Sequence, residues 1–164
     1  MKNLIIGFDP GLNNTGWGVV ESLSNAEKYV NHGLILTKND MPIGQRLNMI
    51  YEGVSELFSR YSPESVAVEK IFSNKNPQST LKLGKARAII FLVAARFNVD
   101  IFEYSPNTVK KNLVGYGHAE KVQIIKMIER FFPGLESLNH DSADALAVAI
   151  CHSMQKKSKI NLFV

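Results

Sequence analysis

The sequence predicts an α/β fold with a five-stranded mixed β-sheet flanked by helices. One observation is a set of short apolar or alternating runs with strand composition, at residues 4–8, 15–21, 28–37, 65–69 and 99–103. The other is apolar residues at helical spacing near 42–61, 77–97, 105–113, 119–131 and 140–153. Three strands followed by alternating helices and strands are typical of this class.

The first strands are defined by a buried run and by turn residues. Residues 4–8 are continuously apolar and end at Asp9, as expected of a strand buried on both faces. Pro10-Gly11 is a turn signal, so we expect the first three strands to form an antiparallel meander. Residues 1–153 are expected to form one domain. Residues 154–164 are basic and lack clear periodicity, so we expect them to form a disordered tail.

The helix predicted at 77–97 is unusually apolar in its second half. The span 86–97 is apolar on most sides, so it must be covered on more than one face. The sheet could cover one face and the same helix of a second copy the other, which would make the protein a homodimer. A helix buried wholly inside one chain is the alternative.

The composition excludes several classes of protein. The single cysteine, Cys151, excludes an intrachain disulfide framework and a cysteine-rich zinc site. No stretch approaches the roughly 20 apolar residues of a membrane span, so we expect a cytoplasmic protein. The net charge is +4, and residues 60–130 hold 12 basic against 6 acidic residues. This segment fits a polyanionic partner, although a mixed-charge surface could produce it by chance.

Four carboxylates fall at the ends of predicted elements. Asp9 and Glu69 each end an apolar strand, while Asp141 and Asp144 open the last helix on one face. If the two strands are neighbours and the helix packs across their ends, the four acids converge. Each acid also has a structural explanation: a turn residue at Asp9, a surface ion pair at Glu69, and a favourable helix-dipole position for the last two.

Converging carboxylates repel one another, and a divalent cation removes that repulsion. Mg²⁺ prefers oxygen ligands and is often held by a few carboxylates together with waters and phosphate oxygens. Two such ions can serve the attacking and leaving oxygens of an in-line phosphoryl displacement. The pattern therefore predicts a Mg²⁺ site, with two ions when substrate is present and Mn²⁺ able to substitute.

Four blocks of this sequence together resemble the RuvC family of Holliday-junction resolvases. They occur in family order and cover roughly residues 4–150. The blocks are Gly7-Phe8-Asp9-Pro10-Gly11 with Thr15-Gly16-Trp17-Gly18-Val19, then Ala67-Val68-Glu69-Lys70-Ile71-Phe72 through Arg87, then Val109-Lys110 to Ala119-Glu120-Lys121, and Asp141-Ser142-Ala143-Asp144-Ala145-Leu146-Ala147.

The resemblance implies an RNase H-like fold, a homodimer, and paired incisions in opposite strands of a four-way DNA junction. It implies catalytic and metal-binding roles for Asp9, Glu69, Asp141 and Asp144. Some family members have His in place of Asp141. Here His140 precedes that position, so an auxiliary role near the metals competes with its being an ordinary N-terminal helix residue.

Several residues are candidates for DNA contact. The resemblance and the polar surroundings of Phe72 indicate an aromatic ring that stacks on an unpaired base at the crossover, with inward packing as the alternative. Lys75, Lys82, Lys85 and Arg87 could line a phosphate path. In the family, lysines matching Lys110 and Lys121 support DNA binding and catalysis. Surface solvation is the alternative for each basic residue.

Other functions remain open on the sequence alone. A related RNase H-like nuclease with a different nucleic-acid substrate would share the four acids. A kinase-like ATP-binding fold is disfavoured because it needs two domains. A junction-binding module without catalysis is disfavoured by the retention of all four acids. The resemblance also suggests a branch-migration helicase complex as partner in DNA recombination and repair.

Overall fold

The computed structural model describes residues 3–71, 76–135 and 138–161, apart from the side chains of the last three. In chain order the elements are β1 (Leu4–Asp9), β2 (Asn14–Ser22), β3 (Glu27–Leu36), α1 (Ile43–Tyr61), β4 (Ser65–Glu69), α2 (Pro77–Arg96), β5 (Asp100–Tyr104), α3 (Pro106–Val114), α4 (Lys121–Phe131) and α5 (His140–Asn161).

The five strands form one mixed sheet in the order β3-β2-β1-β4-β5. β1, β2 and β3 pair in antiparallel fashion, while β4 pairs in parallel with both β1 and β5. The predicted meander and the five-stranded mixed sheet are therefore confirmed.

The sheet lies between two layers of helices, and each layer has its own apolar core. Ile6, Phe8 and Val66 belong to the core that includes the buried apolar residues of α1 and α2. Ile5 and Ala67 belong to the core that contains α3, α4 and α5. The strand residues alternate between the two cores, as the period of two in a β-strand requires.

α5 packs unusually close to β1 and β2 because three glycines lie beneath it. A Cβ on Gly7 would be 1.9 Å from the carbonyl oxygen of Ala145, and one on Gly16 would be 2.2 Å from that of Asp141. A Cβ on Gly18 would be 2.6 Å from the Leu146 side chain. The absence of side chains at these positions therefore sets the depth at which α5 lies on the sheet.

α5 is longer than the sequence predicted. The expected end near residue 153 was too early, because the helix continues to Asn161. Its last turns are held by polar pairs: Lys157 Nζ lies 2.7 Å from Glu27 Oε1, and Lys156 pairs with Glu64. Because these contacts are polar, the apolar spacing of the sequence does not reveal this part of the helix. Within the described ranges, every helix falls short of the length or hydropathy that a membrane crossing requires.

Candidate active site

Asp9 and Glu69 lie at the same edge of the sheet on neighbouring strands. β1 and β4 run in parallel, with Phe8 opposite Val68, so the next residue of each strand reaches that edge. The two strands are therefore neighbours, which is the first of the two conditions under which the four acids would converge.

The N-terminal part of α5 brings Asp141 and Asp144 to this edge. Asn139 Oδ1 accepts a hydrogen bond of 2.8 Å from the Ser142 amide, which caps the helix start. The buried Ser142 hydroxyl donates to the carbonyl of Gly33 on β3, at 2.9 Å. Gly16, opposite Asp9 in the β1–β2 pair, is the position on which the Asp141 backbone rests. The helix start is thus fixed beside Asp9.

The four carboxylates influence one another electrostatically. Burial, followed by the charges of Asp144, Asp141 and Glu69, raises the pKa of Asp9 from 3.8 to about 7. Burial and then the Asp144 charge also raise the pKa of Glu69. Burial raises the pKa of Asp144 too. Negative charge is therefore concentrated in a partly buried place, at a cost in free energy.

Two lysines partly offset this charge. Lys121 Nζ lies 3.4 Å from Asp144 Oδ2, and the charges of Lys110 and Lys121 both lower the pKa of Glu69. Lys121 is the first residue of α4, where a cation is unfavourable to the helix dipole. Asp144 provides one reason for this placement, and a bound phosphate would provide a second. The Lys121 side chain is 71% exposed, so it remains open to such a ligand.

Three grooves meet at the acidic cluster, and each is also lined by cations. The largest, about 720 Å³, is lined by Asp9, Asp141, Arg46 and Lys82. A second, about 180 Å³, is lined by Asp9, Glu69, Lys70 and Arg87. A third, about 210 Å³, is lined by Glu69, Asp144, Lys110 and Lys121. This alternation of charge suits a polyanion whose backbone passes over a cationic cofactor.

The other predicted contact residues have different surroundings. Arg87 is largely enclosed: its Nη1 donates to the Glu69 carbonyl at 2.8 Å, and its Nη2 pairs with Glu103. It therefore holds the end of β4 in place. Lys85 is exposed on α2, and His140 is exposed where it lowers the pKa of Asp144. Phe72 and Lys75 lie outside the described residues.

The donor set fits a hard divalent cation. All four side chains offer carboxylate oxygens. Burial and then the neighbouring acids raise the pKa of Asp9, and a bound cation would stabilise its charged form. Within residues 3–71, 76–135 and 138–161, no three acidic, histidine or cysteine side chains are already gathered as a complete metal-binding group. A cation held there would take its remaining ligands from water and phosphate oxygens.

Sequence reasoning missed three residues that build this site. Gly16 and Ser142 position the start of α5, and Arg46 lines the largest groove. The pattern Asn139 followed by Ser142 is a recognisable helix-start signal. Nothing local marks Gly16 as the point of contact with α5, or Arg46 as buried, because both depend on segments far apart in the chain.

Comparisons with known proteins agree with this geometry. A family described as crossover junction endodeoxyribonuclease RuvC matches residues 5–152. The Agrobacterium fabrum protein of that name is 46% identical over 91% of this chain and 88% of its own. The one from Bartonella bacilliformis is 45% identical over 94% and 93%. The solved structure of Thermus thermophilus RuvC in complex with Holliday junction substrate superposes with a TM-score of 0.89, at 29% identity over 95% of this chain and 96% of that one.

The sheet order and the flanking helices are those of an RNase H-like fold. Within that fold, the match over most of the chain is specific. The chain belongs to the RuvC family of crossover junction endodeoxyribonucleases.

Proposed function

We propose that this protein is a structure-selective endonuclease that resolves Holliday junctions by paired, symmetric hydrolysis of phosphodiester bonds in DNA recombination and repair. The observation that carries the proposal is the arrangement of Asp9, Glu69, Asp141 and Asp144 around adjoining grooves at one edge of the sheet. The relatives named for this activity support the choice of substrate.

We assign the metal-binding and catalytic role to Asp9, Glu69, Asp141 and Asp144. They would hold Mg²⁺, two ions with substrate present, and Mn²⁺ would substitute because it accepts the same oxygen ligands. When bound, the ions would supply positive charge to the phosphoryl oxygens during the displacement. The carboxylates would orient the cofactor, and Asp9 would bind it in its deprotonated form.

Basic side chains on either side of the acids would position the DNA. Lys110 and Lys121 line the groove on the α4 side, and Lys82 lines the groove on the α2 side. Exposed His140 would add positive charge close to Asp144. Lys85 and Arg87 extend the basic surface of α2, with Arg87 acting mainly through the end of β4. The roles of Phe72 in base stacking and of Lys75 in phosphate contact rest on sequence and family.

A homodimer would place two such sites on one symmetric junction. Its support is the outer face of α2, where Ala88, Leu92 and Ala95 are exposed, while Ile90 and Val93 are buried toward the sheet. A branch-migration helicase as partner rests on the family alone. A chromosomal DNA substrate would place the protein in the cytoplasm.

The decisive experiment compares incision of a synthetic four-way junction with incision of a linear duplex of the same sequence, with and without Mg²⁺. We expect symmetric nicks in the junction only, and only with the metal. Asp9→Asn should retain junction binding and lose incision by at least about a hundredfold, since even outer partners of metal ligands are worth about 10–100-fold.

Asp40→Asn is the matched control, because Asp40 is an exposed acid outside the cluster. It should incise like the unmodified protein. Equal cutting of duplex and junction would favour a nuclease with another substrate. Loss of binding and incision together in folded Asp9→Asn would contradict the metal role.

A further inference from the structure

Arg46 is a buried cation at the rim of the active-site groove. It lies in the first turn of α1 and is only 8% exposed. Its Nε donates to Thr37 Oγ1 at 2.9 Å, and its Nη2 donates to Asn13 Oδ1. Because Thr37 Oγ1 also donates to the carbonyl of Leu12, these bonds join the β1–β2 loop to the start of α1.

The positive charge of Arg46 is not neutralised within the described part of the chain. No carboxylate among those residues lies within 4.0 Å of its guanidinium, and both of its partners are uncharged. Burying an unpaired cation is unfavourable. A cation near a helix N-terminus is also unfavourable, and the first turn of α1 contains no acid. An anionic ligand would relieve both penalties.

The groove that Arg46 lines leads directly to the acidic cluster. Asp9, Asp141 and Lys82 line the same groove, whose volume is about 720 Å³. Among the described residues, Arg46 Nη1 has no hydrogen-bond partner, so it can donate into this groove. Guanidinium groups bind phosphate oxygens through charge-assisted and often bidentate hydrogen bonds.

We propose that Arg46 binds a backbone phosphate of the DNA strand that enters the active site, on the side of the acids opposite Lys110 and Lys121. The two hydrogen bonds to Asn13 and Thr37 fix the guanidinium in advance, so that little side-chain entropy is lost on binding. Arg46 would thereby set the position of the strand relative to Asp9 and Asp141. This inference rests on the proposed function, since it assumes a DNA substrate in this groove.

The test measures the salt dependence of four-way junction binding without divalent ions. Each phosphate contact contributes about 0.9 to the slope of log K against log salt on duplex DNA. We expect Arg46→Gln to weaken binding and to reduce this slope by about 0.9 for each bound protomer.

Two variants separate the phosphate contact from other effects. Arg60→Gln removes the same charge from an exposed position in the last turn of the same helix, and it should leave the slope unchanged. Thr37→Val breaks the link to the loop but retains the guanidinium, so it should lower the melting temperature and keep the slope. An unchanged slope in Arg46→Gln, or the same fall in Thr37→Val, would overturn the inference.

If Arg46→Gln does not fold, Arg46→Lys and the unmodified protein are compared on junctions with single methylphosphonate substitutions near the incision point. At a phosphate that Arg46 binds, the methylphosphonate substitution should reduce the junction affinity of the unmodified protein more than that of the lysine variant. Absence of any such phosphate would refute the contact. Failure of the unmodified protein to incise junctions would instead count against the proposed function.

Discussion

Asp9 illustrates how one residue carries both a cost to folding and the proposed activity. Its carboxylate is largely removed from water and faces three further acids, which raises its pKa to about 7. A carboxylate whose only role was to end a strand would not need to be buried beside three other acids. The unfavourable charge is what makes the site attractive to a divalent cation.

The metal-free protein should lose stability as the pH rises toward neutrality. The folded-state pKa of Asp9, about 7, lies above the reference value of 3.8, so the folded state holds the proton more tightly. Its contribution to the free energy of unfolding is full below pH 4 and is lost as the pH rises through 7. The loss is a few kcal/mol at most, at about 1.4 kcal/mol for each pKa unit.

Denaturant unfolding in EDTA between pH 4.5 and 8.5 would measure this effect. The stability of Asp9→Asn relative to the unmodified protein should increase progressively up to about pH 7. Asp40→Asn should show the same pH dependence as the unmodified protein. Mg²⁺ should restore stability to the unmodified protein above pH 7 and do so less for Asp9→Asn. A stability difference independent of pH would contradict the assigned shift.

At the scale of secondary-structure elements, the site depends on the contact between α5 and the sheet. The ends of β1 and β4 could be predicted because apolar runs stop at Asp9 and Glu69. The start of α5 could be predicted from the two acids near its N-terminus, Asp141 and Asp144. The depth at which α5 lies could not, because it depends on Gly16 lying opposite Asp141 in the folded chain. The polar contacts of the last turns of α5 were likewise invisible to hydrophobic periodicity.

Gly16→Ala should therefore damage the site without touching a carboxylate. The added Cβ would lie 2.2 Å from the Asp141 carbonyl oxygen, so α5 or β2 must shift. Overpacking of this kind costs about 1–3 kcal/mol. Calorimetry should show a lower melting temperature, and Mg²⁺-dependent incision should fall more than junction binding.

Gly44→Ala is the control for this change. Gly44 lies in the first turn of α1, and a Cβ there meets no atom within 4 Å. Its melting temperature should be unchanged or higher, since alanine favours a helix over glycine by up to about 1 kcal/mol. Equal behaviour of the two variants would mean that the α5 contact tolerates the extra carbon.

At the scale of the whole molecule, α2 presents an apolar face away from the sheet. Leu92 is 51% exposed near the middle of this face, with exposed Ala88 and Ala95 one turn away on either side. The sequence predicted that α2 needs cover on two faces, and the described chain supplies cover on one. The apolar composition of α2 could indicate that a second face needs cover, but the sequence of one chain does not identify what covers it.

Leu92→Glu should convert the proposed homodimer to a monomer, because it would bury two carboxylates at a symmetric contact. Sedimentation velocity would show the change in mass. Leu23→Glu is the control: Leu23 is 43% exposed in the segment between β2 and β3 and should leave the mass unchanged. A monomeric unmodified protein at micromolar concentration would refute this interface.

The position of α5 along the chain has a consequence for when the protein can act. All five strands precede it, yet it contributes two of the four proposed metal-binding acids and much of one apolar core. A growing polypeptide that has folded its sheet still lacks half of the acids. Nuclease activity would therefore arise only when this helix has docked on the sheet.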